Sequence, residues 1–129
     1  MKFKIKKVVK PLDLADYEEA YGGQEGSIIY VWVNPPYSVR EEYDEARKAI
    51  LEMRNYEGDG LIEKNEEANQ RLFEWYSKIW SQKDGHEWPP EEVRELNQQC
   101  IEHDIGLWEF VITGTFDLLK RQQERIRKN

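Results

Sequence analysis

Few residues in this chain of 129 are suited to covalent chemistry. Cys100 is the single cysteine, and His86 and His103 are the only histidines. Cys100 and His103 stand three apart in a stretch that reads as helix, with Asp104 adjacent. Residues three apart share a helix face, so a thiolate–imidazole pair is geometrically open, and such a pair is nucleophilic. The competing reading is a small apolar core residue beside a polar helix end. The same three residues with His86 contain one short Cys/His pair, which is little toward a four-ligand zinc site. Ser27, Ser38, Ser77 and Ser81 lie in no nucleophile motif, and no glycine-rich phosphate loop leads into a helix. Of the 26 carboxylates, Glu41, Glu42, Glu45, Glu91, Glu92 and Glu95 suit exposed first turns of helices, near the positive end of the dipole. An acid/base pair among them needs a fold that brings two into one cleft, and nothing local forces that. The residue types thus point away from an enzyme.

One acidic stretch has the order of a calcium loop. From Asn55 to Glu66, Asn55, Glu57 and Asp59 occupy the first, third and fifth places, Gly60 the bend, Ile62 the apolar eighth place, and Glu63 and Glu66 the ninth and twelfth. Calcium needs oxygen donors in that order, a glycine for the turn and a closing glutamate. Asn at the first place and Glu at the third depart from it, and no second loop is present to make the usual pair. The plainer reading is an acidic turn between helices, with no metal or cofactor bound.

The aromatic load is the stronger signal. The tryptophans are Trp32, Trp75, Trp80, Trp88 and Trp108. Trp75 and Trp80 are five residues apart, about 500° of helix rotation, so they cannot share one narrow stripe. Trp88 precedes Pro89 and Pro90 in a turn. Large rings at such places are lids on a small core or anchors for a partner, and a helical aromatic cradle is the binding version. The candidate protein-binding residues are Leu72, Trp75, Tyr76, Trp80, Trp88 and Trp108.

The elements that must position these residues are an N-terminal β-hairpin and about four helices: an α+β fold, mostly α. In residues 2–9, Phe3 and Ile5 alternate with lysines, which predicts a half-buried edge strand whose lysines block further pairing, ended by Pro11. Residues 12–27 read as a loop with one helical turn at 14–20. Ile28–Val33 is the best strand, stopped by Asn34, Pro35 and Pro36. A helix begins at Ser38, with Glu41 completing a capping box, and places Val39, Tyr43, Ala46, Ile50 and Met53 on one face. A second runs from about Asn65 to Trp80 on Ala68, Leu72, Trp75, Tyr76 and Ile79, and 81–88 is a polar turn. A third opens on Pro89 and Pro90, where proline costs little, with Val93, Leu96, Cys100 and Ile101 inward. A fourth covers about Leu107 to Arg127 on Phe110, Val111, Leu118 and Leu119, with Gly114 permitting close helix contact. All of 1–129 is expected to form one domain, with 1–34 the hairpin region and 38–127 the helical region.

Charge bounds the partners. The chain carries −7 overall, but +5 in residues 1–10 and +4 in residues 120–129, which leaves 11–119 at −16. Such a middle repels nucleic-acid phosphates. No signal-peptide core is visible, apolar runs such as Ile28–Val33 are too short to span a bilayer, and a lone cysteine gives no internal disulfide. A soluble, cytoplasmic protein without membrane or nucleic-acid partners is the expectation, with homo-oligomerisation left open.

Three stretches carry a family resemblance. They are Ile28-Ile-Tyr-Val-Trp-Val-Asn-Pro-Pro-Tyr-Ser-Val, then Leu72-Phe-Glu-Trp-Tyr-Ser-Lys-Ile-Trp-Ser-Gln-Lys-Asp-Gly, then Trp88-Pro-Pro-Glu-Glu-Val followed by a helix with Leu107-Trp108 and a basic end. Their order, over roughly residues 28–125, resembles the tail assembly chaperones of long-tailed bacteriophages. The Lys-rich start and the Asn55–Glu66 loop lie outside that pattern. The resemblance implies a non-enzymatic protein that coats the helical, aggregation-prone tape measure protein and recruits tail tube subunits. It implies a place in the host cytoplasm and absence from the mature virion. The alternatives are a calcium-modulated protein-binding module using Asn55–Glu66, or a small adaptor protein of unknown pathway.

Overall fold

The computed structural model describes residues 4–17, 28–103 and 106–128. In chain order the elements are β1 (Val9–Asp13), a single 3-10 turn (Leu14–Asp16), β2 (Ile28–Trp32), α1 (Tyr37–Met53), α2 (Leu61–Ile79), β3 (Trp80–Ser81), α3 (Pro90–Glu102) and α4 (Leu107–Lys128). The expected α+β, mostly helical architecture is present, with a third strand added to the hairpin. The sheet is antiparallel in the order β1-β2-β3.

β2 is the centre of the sheet because it can be. Ile29, Val31 and Val33 are fully buried on one face, while Ile28, Tyr30 and Trp32 alternate outward. β1 lies later in the chain than the lysine alternation predicts. Ile5 is 82% exposed, and Phe3 lies outside the described residues. The strand begins at Val9 and contains Pro11, which was expected to end it. The ladder explains this: Val33 N–H donates to Val8 O at 2.9 Å, so the bonded positions are 8, 10 and 12 and the Pro11 nitrogen faces away from β2. Ahead of the strand, Asn34 clamps the chain. Its Oδ1 accepts from Val8 N and Trp32 Nε1, at 2.7 and 2.9 Å, and its Nδ2 donates to Lys6 O at 2.9 Å.

The helices differ from expectation mainly at their ends. α1 starts at Tyr37 with Pro36 as N-cap and no side-chain cap, so Ser38 sits inside the first turn and the capping box does not form. The two prolines hold the chain extended up to the helix, leaving no room for a serine cap. α2 starts four residues early, after Gly60, which takes the left-handed conformation at φ 76°. It stops at Ile79, because Trp80 turns extended and pairs with Val31. The segment 81–88 is not a free polar turn. Trp88 N donates to Trp80 O and Gln82 N to His86 O, closing a short hairpin over Asp84-Gly85, with Gly85 at φ 91°. α3 opens on Pro89 and Pro90 as expected and buries Val93, Leu96 and Cys100. Ile101 is 70% exposed: it sits a further 100° round from Cys100 and leaves the stripe. Gly114 permits close contact, but with a strand: a Cβ there would meet Leu12 Cδ1 of β1 at 2.6 Å. No helix among the described residues is long and apolar enough to cross a membrane.

One polar bond is buried at the centre. Trp80 Nε1 donates to Thr115 Oγ1 at 3.1 Å, and that hydroxyl donates to Val111 O one turn back, at 2.8 Å; Trp80 and Thr115 are both fully buried. Thr115→Val keeps the shape and removes the acceptor, stranding a buried indole N–H. We expect a loss of about 1–3 kcal/mol in urea unfolding, with Thr115→Ser closer to the parent. Equal stability of Thr115→Val and the parent would show that the bond contributes nothing.

Candidate functional site: an aromatic groove between α1 and α4

α1 packs on α2, while α4 packs on α3 and the sheet. α1 and α4 therefore meet through rings that each sends inward. Tyr43 of α1 lies 4.6 Å from Trp75 of α2 and 5.0 Å from Phe116 of α4, centroid to centroid. Trp75 and Phe116 are nearly parallel, 6° apart at 6.1 Å. Trp75 cannot swing away, because its Nε1 donates to Val39 O at 2.7 Å. Above these rings lies an open groove of about 310 Å³, walled by Pro35, Arg40, Asp44, Leu119, Lys120 and Gln123. That volume is at the low end of small-molecule pockets, roughly 300–1,000 Å³, and suits one or two bulky side chains better than a metabolite. The floor is apolar and the rim charged, which is the usual layout of an anchor site.

Of the residues expected to contact a partner, Trp75 alone lines this groove. Trp75, Tyr76 and Trp80 are 3%, 2% and 0% exposed, and Leu72, Trp88 and Trp108 are half-buried against the same core. The last two belong to an aromatic cluster: Trp80 stacks on Tyr76 at 4.7 Å and receives Trp88 and Trp108 edge-on, each at 6.1 Å. Most of the aromatic load is therefore core. A three-stranded sheet covers little area, and large rings fill the space between it and the helices. Tyr43, Phe116, Leu119 and the groove's polar rim were not singled out as a site. Their signal is a second α4 stripe, Phe116-Leu119-Gln123, at helical spacing beside the Val111-Thr115 stripe.

The chemistry-bearing residues do not assemble. Cys100 is buried, and burial pushes its thiol pKa up, so it stays protonated and unreactive at neutral pH. His103 caps the end of α3 and is exposed; Asp104 lies outside the described residues. His86 pairs with Asp84 at 2.9 Å on the exposed hairpin tip, where bonds from the His86 backbone and ring hold the Asp84 carboxyl low. In the Asn55–Glu66 segment, α2 begins at Leu61, so Glu63 and Glu66 ride on a helix; Tyr56 Oη donates to Asp59 O across the turn. The described residues contain no group of three or more His, Cys, Asp or Glu placed to hold a metal ion. Two further depressions, on α1/α2 and α2/α3, are mixed-charge surfaces: one holds the Lys78–Glu42 ion pair, the other Glu63, Glu66, Glu67 and Arg94.

Comparison with family models gives no match, and comparison with curated proteins and with solved structures gives none either.

Behind the groove, burial pushes the Tyr76 phenol pKa far above its ordinary 10.0; nearby Tyr43 adds to this and Arg47 partly offsets it. The unfolded phenol ionises above about pH 10 while the folded one does not. The stability tied to neutral Tyr76 is thus intact below that pH and lost as pH climbs, by up to about 1.4 kcal/mol per pH unit. Urea midpoints at about pH 8 and pH 11 should fall more for the parent than for Tyr76→Phe. An equal fall in both would contradict the assignment.

Proposed function

We propose that this is a non-catalytic protein that binds a helical segment of another protein, seating apolar side chains of that segment in the α1/α4 groove. The observation that carries this reading is the aromatic floor of Tyr43, Trp75 and Phe116, held rigid from behind yet open between two helices that nothing on the chain itself covers among the described residues. Two exposed helices flanking an apolar trough accept a third helix, whose residues at i, i+3, i+4 and i+7 supply the anchors. The buried, protonated Cys100 and the dispersed histidines support the non-catalytic half.

Within that reading we propose an assembly chaperone. The resemblance to phage tail assembly chaperones supplies the partners: the tape measure protein as the coated helix and tail tube subunits as the recruited component, in the host cytoplasm and outside the mature virion. A long apolar helix kept in solution by an acidic coat is consistent with the −16 carried by residues 11–119.

Leu119 sits at the groove wall and is only half-buried, so Leu119→Gln tests the site at small cost to the fold. Co-expression with a helical tape measure fragment should raise the fragment's soluble fraction several-fold with the parent chain and not with Leu119→Gln, while both chains unfold at similar urea concentrations. No rise with the parent, or the same rise with the variant, would overturn the proposal.

A further inference from the structure

The groove's lining carries more positive than negative charge. Arg40 and Lys120 stand in its walls, with Asp44 as the one carboxylate among the lining residues. Pro35 is part of the lining, and its neighbour Asn34 is the residue that clamps the N-terminal segment. Through that clamp the Lys6 carbonyl is fixed 2.9 Å from Asn34 Nδ2, and Lys7 is held with its Nζ 4.8 Å from the centre of the Trp32 ring. Lys6 and Lys7 are therefore held close to the residue that precedes Pro35.

α4 packs along β1. Tyr17 packs against Phe110 with the rings tilted by 43° at 5.4 Å, and Leu12 sits on Gly114, so β1 and α4 run antiparallel. Going back along β1 toward Lys7 and Lys6 means going forward along α4 toward Lys120, Arg121 and Arg125. At about 3.3 Å per strand residue and 1.5 Å per helix residue, the five residues from Leu12 to Lys7 span about as far as the eleven from Gly114 to Arg125. Lys6, clamped to the residue before Pro35, and Arg40 and Lys120 in the walls thus put positive charge at the groove of a chain that carries −7 overall.

We infer that the segment seated in the groove is anionic: an amphipathic helix whose apolar row is flanked by Asp or Glu. This rests on the groove being the binding site, and it adds the sign of the partner. A cationic helix would be drawn by the acidic middle and turned away at the groove, whereas an anionic one is repelled elsewhere and admitted there.

Three synthetic helices of about eighteen residues, with the same Leu/Ala row and flanks of Glu, Gln or Lys, separate the two claims by fluorescence anisotropy. At about 50 mM salt the Glu helix should bind about tenfold more tightly than the Lys helix, with Gln between, and the gap should shrink at about 500 mM. Lys120→Glu should narrow the preference, while Lys83→Glu on the 81–88 hairpin, outside the groove lining, leaves it unchanged. Equal binding of all three, or a preference for Lys, overturns the inference and leaves the groove standing. No binding by any of them, the uncharged helix included, overturns the groove itself. Concentration-dependent mass of the chain alone, abolished by the Glu helix, would identify an acidic face of a second copy as an occupant and support the same sign.

Discussion

Trp80 is the residue on which the elements are hung. Its backbone ends α2 and becomes β3, pairing with Val31 at the centre of the sheet. Its carbonyl takes the N–H of Trp88, which closes the hairpin leading to α3. Its indole donates to Thr115 of α4 and packs against Tyr76, Trp88 and Trp108. A fully buried tryptophan removes roughly 200 Å² from water, worth about 5 kcal/mol, a large part of the net stability of a domain this size. One side chain therefore fixes how the sheet, α2, α3 and α4 lie against one another. The spacing of α1 and α4, and so the groove, follows from it through Tyr76, Trp75 and Phe116.

This arrangement was legible in the sequence only in part. The four helices and β2 announce themselves because each has a long apolar pattern with proline or glycine at its ends. β3 has no such pattern. It is two residues long, and Trp80 continues the α2 spacing well enough to read as helix. The 500° argument did mark Trp75 and Trp80 as incompatible on one face, and the extended Trp80 is how the chain resolves it. The displacement of β1 onto Val9–Asp13 was hidden because Pro11 reads as a terminator unless one knows which edge its nitrogen faces. The groove was least legible of all: Tyr43, Trp75 and Phe116 are more than thirty residues apart from one another, and only the packing of three helices joins them.

The aromatic content has a different meaning once placed. Five tryptophans in a small acidic chain read as either lids on the core or anchors for a partner; Trp75 and Trp80 are interior and Trp88 and Trp108 half-interior. What remains for a partner is small, with an apolar floor and a charged border. Lys6 near the chain start is clamped by Asn34, next to the Pro35 that lines that floor, and Lys120 stands in the groove wall.

The central claim is that a helix from another protein docks between α1 and α4, and hydrogen–deuterium exchange tests it without any substitution. Adding an apolar, acid-flanked helical peptide should slow exchange along 37–44 and 116–123, the stretches that carry Arg40, Tyr43, Phe116, Leu119, Lys120 and Gln123. Protection confined to the α2/α3 face around Glu63, Glu66 and Arg94, or no protection at peptide concentrations that saturate binding, would contradict it.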